Sequence, residues 1–494
     1  MQLPVPDRDP RRCDVLVVGG GAAGIMAALA ARGALLADGG ERAPGPEAPD
    51  VVIVSNEARL GLKILVSGGG RCNVTNAQVD EDDYLSGAPH LLRGVLRAFP
   101  VASVRAFFER RGCPLYAEPL GKLFPLSDDA HDVLGVLLRA LVRAGVPLVA
   151  PAEVVELAPR AGDAGGWTAR LAAGGAWEAR RVILASGGKS LPKTGSRGFG
   201  FEALAGLGHA LEPPLPALTP LFLGPEGPLA GLAGLTVPAV LSLVPRDATP
   251  EQLAGTRLRP LARAAGSLLV THKGASGPAA LDVSGACGRA LAGAADVVLR
   301  GDFFSLAAAD GPWAPFLGQP KPPGACLRPA DAPRPPTRED FLARIAPLLR
   351  DRERSLGHAL AGLVPRSLLV QLLRRAEVDP ARPLKQLDAP AWSRVHRALT
   401  QVDLSLTGTD GYAKAEVTAG GVRLQELART SLESRLRPGL HCCGEVVDVT
   451  GRLGGFNFQW AWSSGYAAGL AAGRTSGATR SDPRDKRAGE GASS

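Results

Sequence analysis

The feature that most constrains this chain is a strand, a glycine turn and a helix close to its N-terminus. Four apolar residues at 15–18 form a short run typical of a buried parallel strand. The pattern Gly19-x-Gly21-x-x-Gly24 follows directly, and the segment IMAALAARGA then favours a helix. Gly19 permits the tight turn, Gly21 lets a pyrophosphate approach the backbone, and Gly24 lets the helix lie close to the strand. Because the helix start also offers free N–H groups, the segment predicts a dinucleotide site rather than a plain glycine-rich turn.

Length, cysteine usage and charge limit the class of protein. The 494 residues are enough for two or three domains. The seven cysteines are an odd number, are scattered and form no CxxC pair, so we expect neither a disulfide framework nor a metal site, and we expect a reducing cytoplasm. No apolar run reaches the roughly 18 residues of a membrane helix, and the first residues resemble no secretion signal. The net charge of +8 permits an anionic partner without requiring one.

The second predicted strand, VVIVS at 51–55, follows a Gly/Pro-rich segment at 37–50 that we expect to be a surface loop. In dinucleotide-binding folds an acidic residue usually ends this strand and binds the adenosine ribose. Ser55 stands at that position here, and Glu57 comes two residues later. Glu57 is therefore the candidate ribose ligand, although a solvated glutamate explains the same residue equally well.

Two further glycine-rich loops carry polar residues. The loop SGGGRCNVTN at 67–76 includes Gly70, Arg71, Cys72 and Asn73, and it follows closely after Lys63. Glycines let the backbone approach a flat ring, and amide or hydroxyl side chains can bond its edge or the phosphates. The segment VILASGG at 182–188 predicts another buried strand, and it ends in a glycine pair.

The predicted secondary structure then changes twice along the chain, first to short β-rich runs and then to helices, which indicates inserted domains. We predict an α/β fold with a Rossmann-like first part at 13–211 and a β-rich, barrel-like insert at 212–337, whose short runs are broken by proline and glycine. A small helical insert at 338–400 carries 12 Lys and Arg against 7 Asp and Glu. The segment at 401–473 returns to the first domain, and the polar tail at 474–494 is predicted to be disordered.

Taken together, the motifs of this chain resemble those of one family, the BaiN/RdsA-type bacterial NAD(P)/FAD-dependent oxidoreductases, also called aminoacetone-oxidase-like flavoproteins. The resemblance runs from residue 15 to about 473. The matching segments are VVGGGAAG, SGGGRCNVTN, ASGGKSLPKTGSRGFG, PALTPL, THKGASGPAAL, TAGGV, TSLESRLRPGL and GEVVDVTGRLGGFNFQWAWSSGYAAG.

The resemblance implies a two-dinucleotide-fold flavoprotein whose FAD domain is built from both ends of the chain, with NAD(P)H as a possible electron donor. It implies that the glycine turn holds the pyrophosphate and that C-terminal residues return to the ribityl chain and flavin. The residues predicted to bind the cofactor are Gly19, Gly20, Gly21, Ala22, Ala23, Gly24, Glu57, Lys63, Gly70, Arg71, Cys72, Asn73, Gly187, Gly188, Gly444, Glu445, Asp448, Gly454, Gly455, Phe456 and Asn457.

A flavin carries the hydride chemistry, but reduction of a carbon–carbon double bond also needs a proton donor. Cys72 is one candidate, because the adjacent Arg71 would favour a thiolate, and its alternative role is packing against the cofactor. His272 is the other candidate, and a structural hydrogen bond is its alternative role. His209 and His441 are expected to be structural.

Three functions remain open from the sequence. The first is an FAD oxidoreductase that reduces or desaturates a small molecule. The second, which the resemblance also implies, is an RNA-modifying flavoenzyme that reduces a uridine in ribosomal RNA. The basic helical insert favours this second function over the first, although a charged helix surface is usually only solvated. The third is a non-catalytic FAD-binding protein.

Overall fold

The structure of the protein is a computed structural model. The predicted tail at 474–494 lies outside its described residues, apart from Arg474. The described residues are 11–160, 165–249, 252, 254, 258–307, 326–328 and 331–474.

The secondary-structure elements are numbered here in chain order. The strands are β1 Arg11–Val18, β2 Val51–Val54, β3 Thr75–Asn76, β4 Tyr84–Leu85, β5 Leu115–Ala117, β6 Lys122–Pro125, β7 Leu148–Val149, β8 Val154–Pro159, β9 Trp167–Leu171, β10 Ala176–Leu184, β11 Leu211–Ala217, β12 Leu221–Leu223, β13 Thr236–Pro245, β14 Ala262–Thr271, β15 Gly274–Ser276, β16 Val297–Asp302, β17 Val402–Asp403, β18 Leu406–Thr409, β19 Val417–Val422, β20 Leu440–Cys442 and β21 Thr450–Gly451. The α-helices are α1 Ala22–Ala31, α2 Leu62–Val66, α3 Pro89–Ala98, α4 Val101–Glu109, α5 Ala130–Ala144, α6 Phe199–Gly206, α7 Pro278–Ala292, α8 Arg338–Ile345, α9 Leu356–Ala359, α10 Arg366–Arg375, α11 Ala389–Thr400 and α12 Phe456–Ala472.

The first sheet confirms the predicted Rossmann-like architecture. Its strand order is β7-β2-β1-β10-β9-β8, and β20 from the C-terminal part of the chain pairs with the second half of β10. The pairings β7–β2, β2–β1, β1–β10 and β10–β20 are parallel, whereas β10–β9 and β9–β8 are antiparallel. Residues 15–18 of β1 and all of β2 are buried within the parallel part of the sheet, which explains their continuous apolar runs.

Helices α1 and α12 pack side by side at very short range. Gly465 and Gly469 of α12, and Gly473 directly after it, face Ala23, Ala27 and Ala31 of α1 in the same order, so the two helices run parallel. A Cβ atom added at Gly465 or Gly469 would lie 2.4 or 2.2 Å from the carbonyl oxygen of Ala23 or Ala27. The first turns of both helices therefore point to the same end of the sheet.

The second sheet belongs to the β-rich part, in the order β17-β16-β13-β14-β15-β12-β18, with α7 packed against it. Its two edge strands are joined directly, since β17 ends at Asp403 and β18 begins at Leu406. Three residues span about 11 Å at most, whereas the edges of a flat seven-stranded sheet would be about 29 Å apart. The sheet must therefore curl toward closure, which agrees with the barrel-like insert predicted from the sequence.

The predicted domain boundaries need two corrections. Strands β17 and β18 lie within the segment 401–473 that was assigned to the FAD domain, yet they are the two edges of the β-rich sheet. The helices of 338–400 form as predicted, but Phe341, Leu369 and Val395 share one apolar core with strands β13 and β14. The helical insert is therefore part of the β-rich body rather than a separate domain.

No helix in the described part of the chain is long and apolar enough to cross a bilayer.

Candidate functional site

One large cavity, here called the central cavity, lies where the carboxyl ends of β1 and β2 meet the first turns of α1 and α12. Its volume is about 550 Å³, within the range of small-molecule and cofactor sites. Residues of the Rossmann-like part form most of its wall. Leu218 and Pro278 line it from the side of the β-rich part, and Glu416 lines it just before β19. The two parts of the molecule therefore line one continuous cavity.

The glycine turn after β1 has the geometry of a phosphate site. Gly19 adopts φ +117°, and a Cβ there would lie 2.3 Å from the carbonyl oxygen of Ala185, so the turn requires glycine. A Cβ at Gly24 would lie 1.9 Å from the Gly19 carbonyl oxygen, which holds α1 against the strand. A Cβ at Gly21 would meet no protein atom within 4 Å, because this residue faces the cavity.

Neither α1 nor α12 has a side chain that caps its first turn. The N-cap residues are Gly21 and Gly455, and neither first turn contains an acidic residue. The first N–H groups and the positive ends of both helix dipoles therefore remain available to an anion or a polar ring edge in the cavity. This arrangement fits the diphosphate and polar groups of a dinucleotide.

Polar side chains fix the turn before α12. Asn73, with its amide oriented to satisfy its neighbours, accepts from the Gly455 N–H at 2.9 Å and donates to the Thr75 carbonyl at 2.9 Å. Asn457 accepts from the Gly451 N–H and donates to the Gly451 carbonyl, both at 2.8 Å. Both asparagines line the cavity, but their side-chain amides already form hydrogen bonds with backbone groups of the protein.

The end of β2 forms another wall of the cavity. Ser55 is buried there, and Asn56 donates to the Gly195 carbonyl at 2.9 Å. Glu57 also lines the cavity and pairs with Arg197 at 3.3 Å. Glu57 is thus within the site, with part of its carboxylate committed to an arginine.

Lys63 and Glu445 form an internal ion pair at the cavity wall. Their Nζ and Oε2 atoms are 2.8 Å apart, and Lys63 also donates to Ser190 at 2.7 Å. The other oxygen of Glu445 accepts from the Thr418 N–H at 2.8 Å. Because the lysine balances the carboxylate, Glu445 adds no net negative charge beside a bound phosphate.

The structure brings most of the predicted cofactor residues together around the cavity. Those that line it are Gly19, Gly20, Gly21, Ala22, Ala23, Glu57, Lys63, Asn73, Gly187, Gly444, Glu445, Gly454, Gly455 and Asn457. The predicted residues that do not line it are Gly24, Gly70, Arg71, Cys72, Gly188, Asp448 and Phe456.

The expectation that Cys72 forms a thiolate is wrong. Cys72 adopts φ +62°, is fully buried and does not line the cavity. Burial raises the pKa of its thiol to about 12, and Arg71 does not offset this. The guanidinium of Arg71 instead bonds Glu118 at 2.7 Å and lies over the ring of Phe124, 4.0 Å from its centroid. Cys72 thus occupies a packing position.

Asp448 and Phe456 serve the protein framework rather than the cavity. Asp448 is buried, pairs with Arg289 at 2.5 Å and accepts from the Gly87 N–H at 3.3 Å. Phe456 is buried against Tyr84, whose hydroxyl donates to the Phe456 carbonyl at 3.0 Å. A Cβ at Gly188 would meet Thr418 at 2.3 Å, so this glycine allows close packing behind the wall.

His272 lies on the exposed turn between β14 and β15 and does not line the cavity, so the structure gives it no contact with a reacting group. His209 is buried between Ser434 at 2.8 Å and Glu426 at 3.2 Å. Ser434, His209 and Glu426 are connected in the same way as the serine, histidine and acid of a hydrolase triad. Ser434 is buried, however, and accepts from the Arg437 N–H at 2.8 Å, so it is not accessible to a substrate. His441 is buried and bonds the Ser431 carbonyl at 3.0 Å.

Sequence reasoning missed several cavity residues. Lys122 and Phe124 lie on β6, Glu416 directly precedes β19, and Arg452 precedes the glycine pair before α12. Lys122 and Glu416 are almost 300 positions apart, so no local spacing could have paired them. Arg452 could have been singled out, because it stands within the segment TGRLGGFN that was already recognised.

No group of three or more His, Cys, Asp and Glu side chains within the described residues could hold a metal ion.

Comparison with known proteins places the chain in a family. The family model described as HI0933-like protein Rossmann domain matches residues 13–471. The chain is 32% identical over 453 residues to the 3-dehydro-bile acid delta(4,6)-reductase of Clostridium scindens, covering 92% of this chain and 97% of that protein. It is 32% identical over 458 residues to the ribosomal RNA dihydrouridine synthase of Escherichia coli, with 92% and 97% covered. The Haemophilus influenzae protein of the same name is 26% identical over 455 residues, with 92% and 96% covered.

Proposed function

The chain belongs to the HI0933-like Rossmann family and is an FAD-dependent oxidoreductase, and we propose that it reduces a carbon–carbon double bond conjugated with a carbonyl group. NAD(P)H is the proposed electron donor. The observation that carries the proposal is the central cavity, which joins a dinucleotide cradle to a wall formed by the β-rich part. The dinucleotide cradle and the wall of the β-rich part therefore face the same cavity.

The names of the relatives support this reaction class. A 3-dehydro-bile acid with 4,6 unsaturation is a dienone, and dihydrouridine arises when the 5,6 double bond of uracil is reduced. In both substrates the double bond is conjugated with a carbonyl group. Since the two proteins are equally similar to this chain, they support the bond type and leave the molecule that carries it open.

The cofactor is FAD. When bound, the flavin supplies hydride transfer between the nicotinamide and the double bond. The first turn of α1, with Gly21 and Ala22, would hold the pyrophosphate, and Glu57 is the proposed ligand of the adenosine ribose. The first turn of α12, behind Gly455, would face the ring end of the cofactor.

The attachment of FAD is expected to be non-covalent. Of the described residues that line the central cavity, none is a cysteine, histidine or tyrosine, the side chains that form bonds to flavins. Heat or acid treatment should therefore release the whole flavin, and chromatography should identify it as FAD. Yellow colour that stays with the acid-precipitated protein would contradict this prediction, and released FMN would contradict the dinucleotide site.

The proposed reaction can be tested with two probes, a 3-oxo-4,6-diene bile acid and a uridine-containing fragment of ribosomal RNA. Each is incubated with the purified holoenzyme and NADH or NADPH without oxygen, and the product is analysed by mass spectrometry. Gain of two hydrogen atoms by either probe supports the proposal and selects the substrate class. Nicotinamide oxidation that occurs only with oxygen, with both probes unchanged, would contradict it.

Ribosomal RNA is the second candidate substrate, and the helical insert supports it. Arg350, Arg354, Arg374, Arg375 and Arg397 are all exposed. Arg350 and Arg354 are four positions apart, a spacing that would place them on one face of a helix, but both lie in the irregular segment before α9. The planar guanidinium group of arginine can nevertheless bind phosphate oxygens from a loop as well as from a helix.

The seven cysteines are all buried and free, which agrees with the proposal that the enzyme works in the reducing cytoplasm.

If RNA is the substrate, its binding should weaken with salt and depend on these arginines. Each neutralised phosphate contributes about −0.7 to the slope of log affinity against log salt for a single strand. The variant Arg350→Ala/Arg354→Ala/Arg374→Ala should therefore reduce the magnitude of the slope by about 2. Arg375 is kept, because its guanidinium donates to the Glu226 carbonyl at 2.6 Å.

Filter binding to the ribosomal RNA fragment over a range of salt concentrations measures this slope. The matched control replaces three exposed arginines of the Rossmann-like part with alanine, namely Arg42, Arg97 and Arg139. The control should keep the wild-type slope. Equal and feeble binding by all three proteins would remove RNA as the substrate and leave the small-molecule reductase.

A further inference from the structure

Two ionisable groups that are almost 300 positions apart in the chain line the central cavity. Lys122, half-buried on β6, belongs to the Rossmann-like part. Glu416 lies just before β19 and also lines the cavity. The carboxylate of Glu416 acts electrostatically on Lys122. The wall of the cavity thus carries a lysine and a carboxylate that interact electrostatically.

The backbone around Lys122 fixes its position. Lys122 is opposite Asn76 in the β3–β6 pair, and Asn76 donates to the Gly454 carbonyl at 3.1 Å. Phe124, two residues along β6, also lines the cavity, as the alternation of side chains in a strand requires. Lys122 is therefore held beside the first turn of α12, which starts after Gly455.

Three other cationic residues also line the cavity wall. Lys63 is paired with Glu445, as described above. Arg59 lies at the end of β2, where the adenosine is expected. Arg452 pairs with Asp83 at 2.9 Å and also donates to the Leu327 carbonyl at 2.9 Å. An arginine also keeps its proton in proteins, whereas a lysine can release one.

We propose that the ammonium group of Lys122 binds the carbonyl oxygen of the substrate and transfers a proton to it during reduction. The inference rests on the proposed function, since it assigns a residue to the conjugated carbonyl group of that substrate class. Lys122 is then a catalytic residue, and Glu416 is a positioning residue that keeps the ammonium at the cavity wall.

The charges around Lys122 suit this role. Burial lowers the pKa of Lys122, while Glu118, Glu416 and Asp282 oppose that shift, and Cys326 acts weakly in the same direction as these carboxylates. Burial raises the pKa of Glu416, and the charge of Lys122 opposes that shift. A lysine with a pKa below its usual range is a better proton donor near neutral pH than an exposed lysine.

The step balances in atoms and electrons. A hydride from the reduced cofactor adds to the β-carbon, the double bond shifts toward the carbonyl carbon, and the oxygen takes the electron pair and the Lys122 proton. The enol becomes the saturated ketone by gaining a proton at the α-carbon from water and releasing the one on oxygen. Water returns a proton to Lys122, so the substrate gains one hydride and one proton and the cofactor is oxidised.

The test compares Lys122→Met, Lys122→Arg and the control Lys273→Met, which makes the same change on the exposed β14–β15 turn. Each holoenzyme is first reduced with dithionite and then mixed without oxygen with the 3-oxo-4,6-diene bile acid. We expect reoxidation of Lys122→Met to slow by about 10²- to 10³-fold, as for loss of one donor to a developing oxyanion. Lys122→Arg should be slowed less, because it keeps the positive charge, and Lys273→Met should match the wild type.

A second measurement does not depend on turnover. Titration with 4-hydroxybenzaldehyde, whose ionised oxygen mimics the enolate, gives the pKa of the bound phenol from the change in the flavin spectrum. In the wild type and in Lys273→Met, bound phenol should ionise at lower pH than free phenol, because the ammonium favours the anion. In Lys122→Met this lowering should disappear, and in Lys122→Arg it should persist.

The outcomes separate the two claims. Wild-type reoxidation by the dienone with equal rates and equal phenol pKa values in Lys122→Met would overturn the role of Lys122 alone. A wild type that neither dienone nor RNA reoxidises contradicts the proposed function, and the phenol titration then still decides whether Lys122 faces an anion in the cavity. If Lys122→Met fails to retain FAD, Lys122→Arg carries the test, and an Arg variant without lowered phenol pKa would overturn the inference.

Discussion

Gly21→Val is expected to give a folded protein that contains no FAD. Gly21 has φ −85°, which any residue adopts, and a Cβ there would meet no protein atom within 4 Å. The valine methyl groups would instead occupy the part of the cavity where the backbone must approach the pyrophosphate. Loss of the glycine N-cap should cost no more than about 1 kcal/mol of unfolding free energy. The substitution should therefore prevent the binding of FAD and leave the fold largely intact.

The matched control is Gly45→Val, the same change at a loop position that also has open space around it. Flavin content is measured from the visible spectrum, and stability is compared between the apo forms, because bound FAD itself stabilises the fold. We expect full flavin in the control and none in Gly21→Val. A Gly21→Val protein with a full flavin complement would show that the phosphate site lies elsewhere.

Gly469→Val is expected to destabilise the fold itself. A Cβ at Gly469 would lie 2.2 Å from the Ala27 carbonyl oxygen, and this backbone atom can withdraw only if α1 moves. Overpacking of this kind costs about 1–3 kcal/mol, and more where the backbone must shift. Because α1 carries the phosphate site at its first turn, its displacement should also lower flavin content.

Urea unfolding of the apo proteins measures this effect, with Leu470→Val as the control at the neighbouring exposed position of α12. The control should unfold within about 0.5 kcal/mol of the wild type. If Gly469→Val unfolds as the wild type does and retains its flavin, the close parallel packing of α1 and α12 is not needed for the cofactor site.

The strand, glycine turn and helix at the N-terminus were predictable because the relevant residues are neighbours in the chain. Gly19 and Gly24 carry local backbone requirements that the sequence displays directly. The edges of the β-rich sheet were not predictable in the same way. Strands β17 and β18 have only two and four residues, too few to show a period, and their partners lie more than 100 residues away.

The cavity wall shows the same limit for side chains. Arg71 and Cys72 are adjacent, so the sequence suggested one microenvironment, but the side chain of Cys72 is fully buried. Lys122 and Glu416 come from separate parts of the chain and meet only through the tertiary fold. Adjacency in sequence therefore indicated the cofactor turn well and the rest of the cavity wall poorly.

The most direct test of the central claim is the oxidative half-reaction observed without oxygen. The purified holoenzyme is reduced with one equivalent of NADH or NADPH, and its flavin absorbance is followed after addition of the conjugated substrate, the dienone or the ribosomal RNA fragment. We predict that the flavin bleaches with the nicotinamide and returns in step with formation of the reduced product. A flavin that the nicotinamide reduces but that neither substrate reoxidises, while oxygen does, would contradict the account.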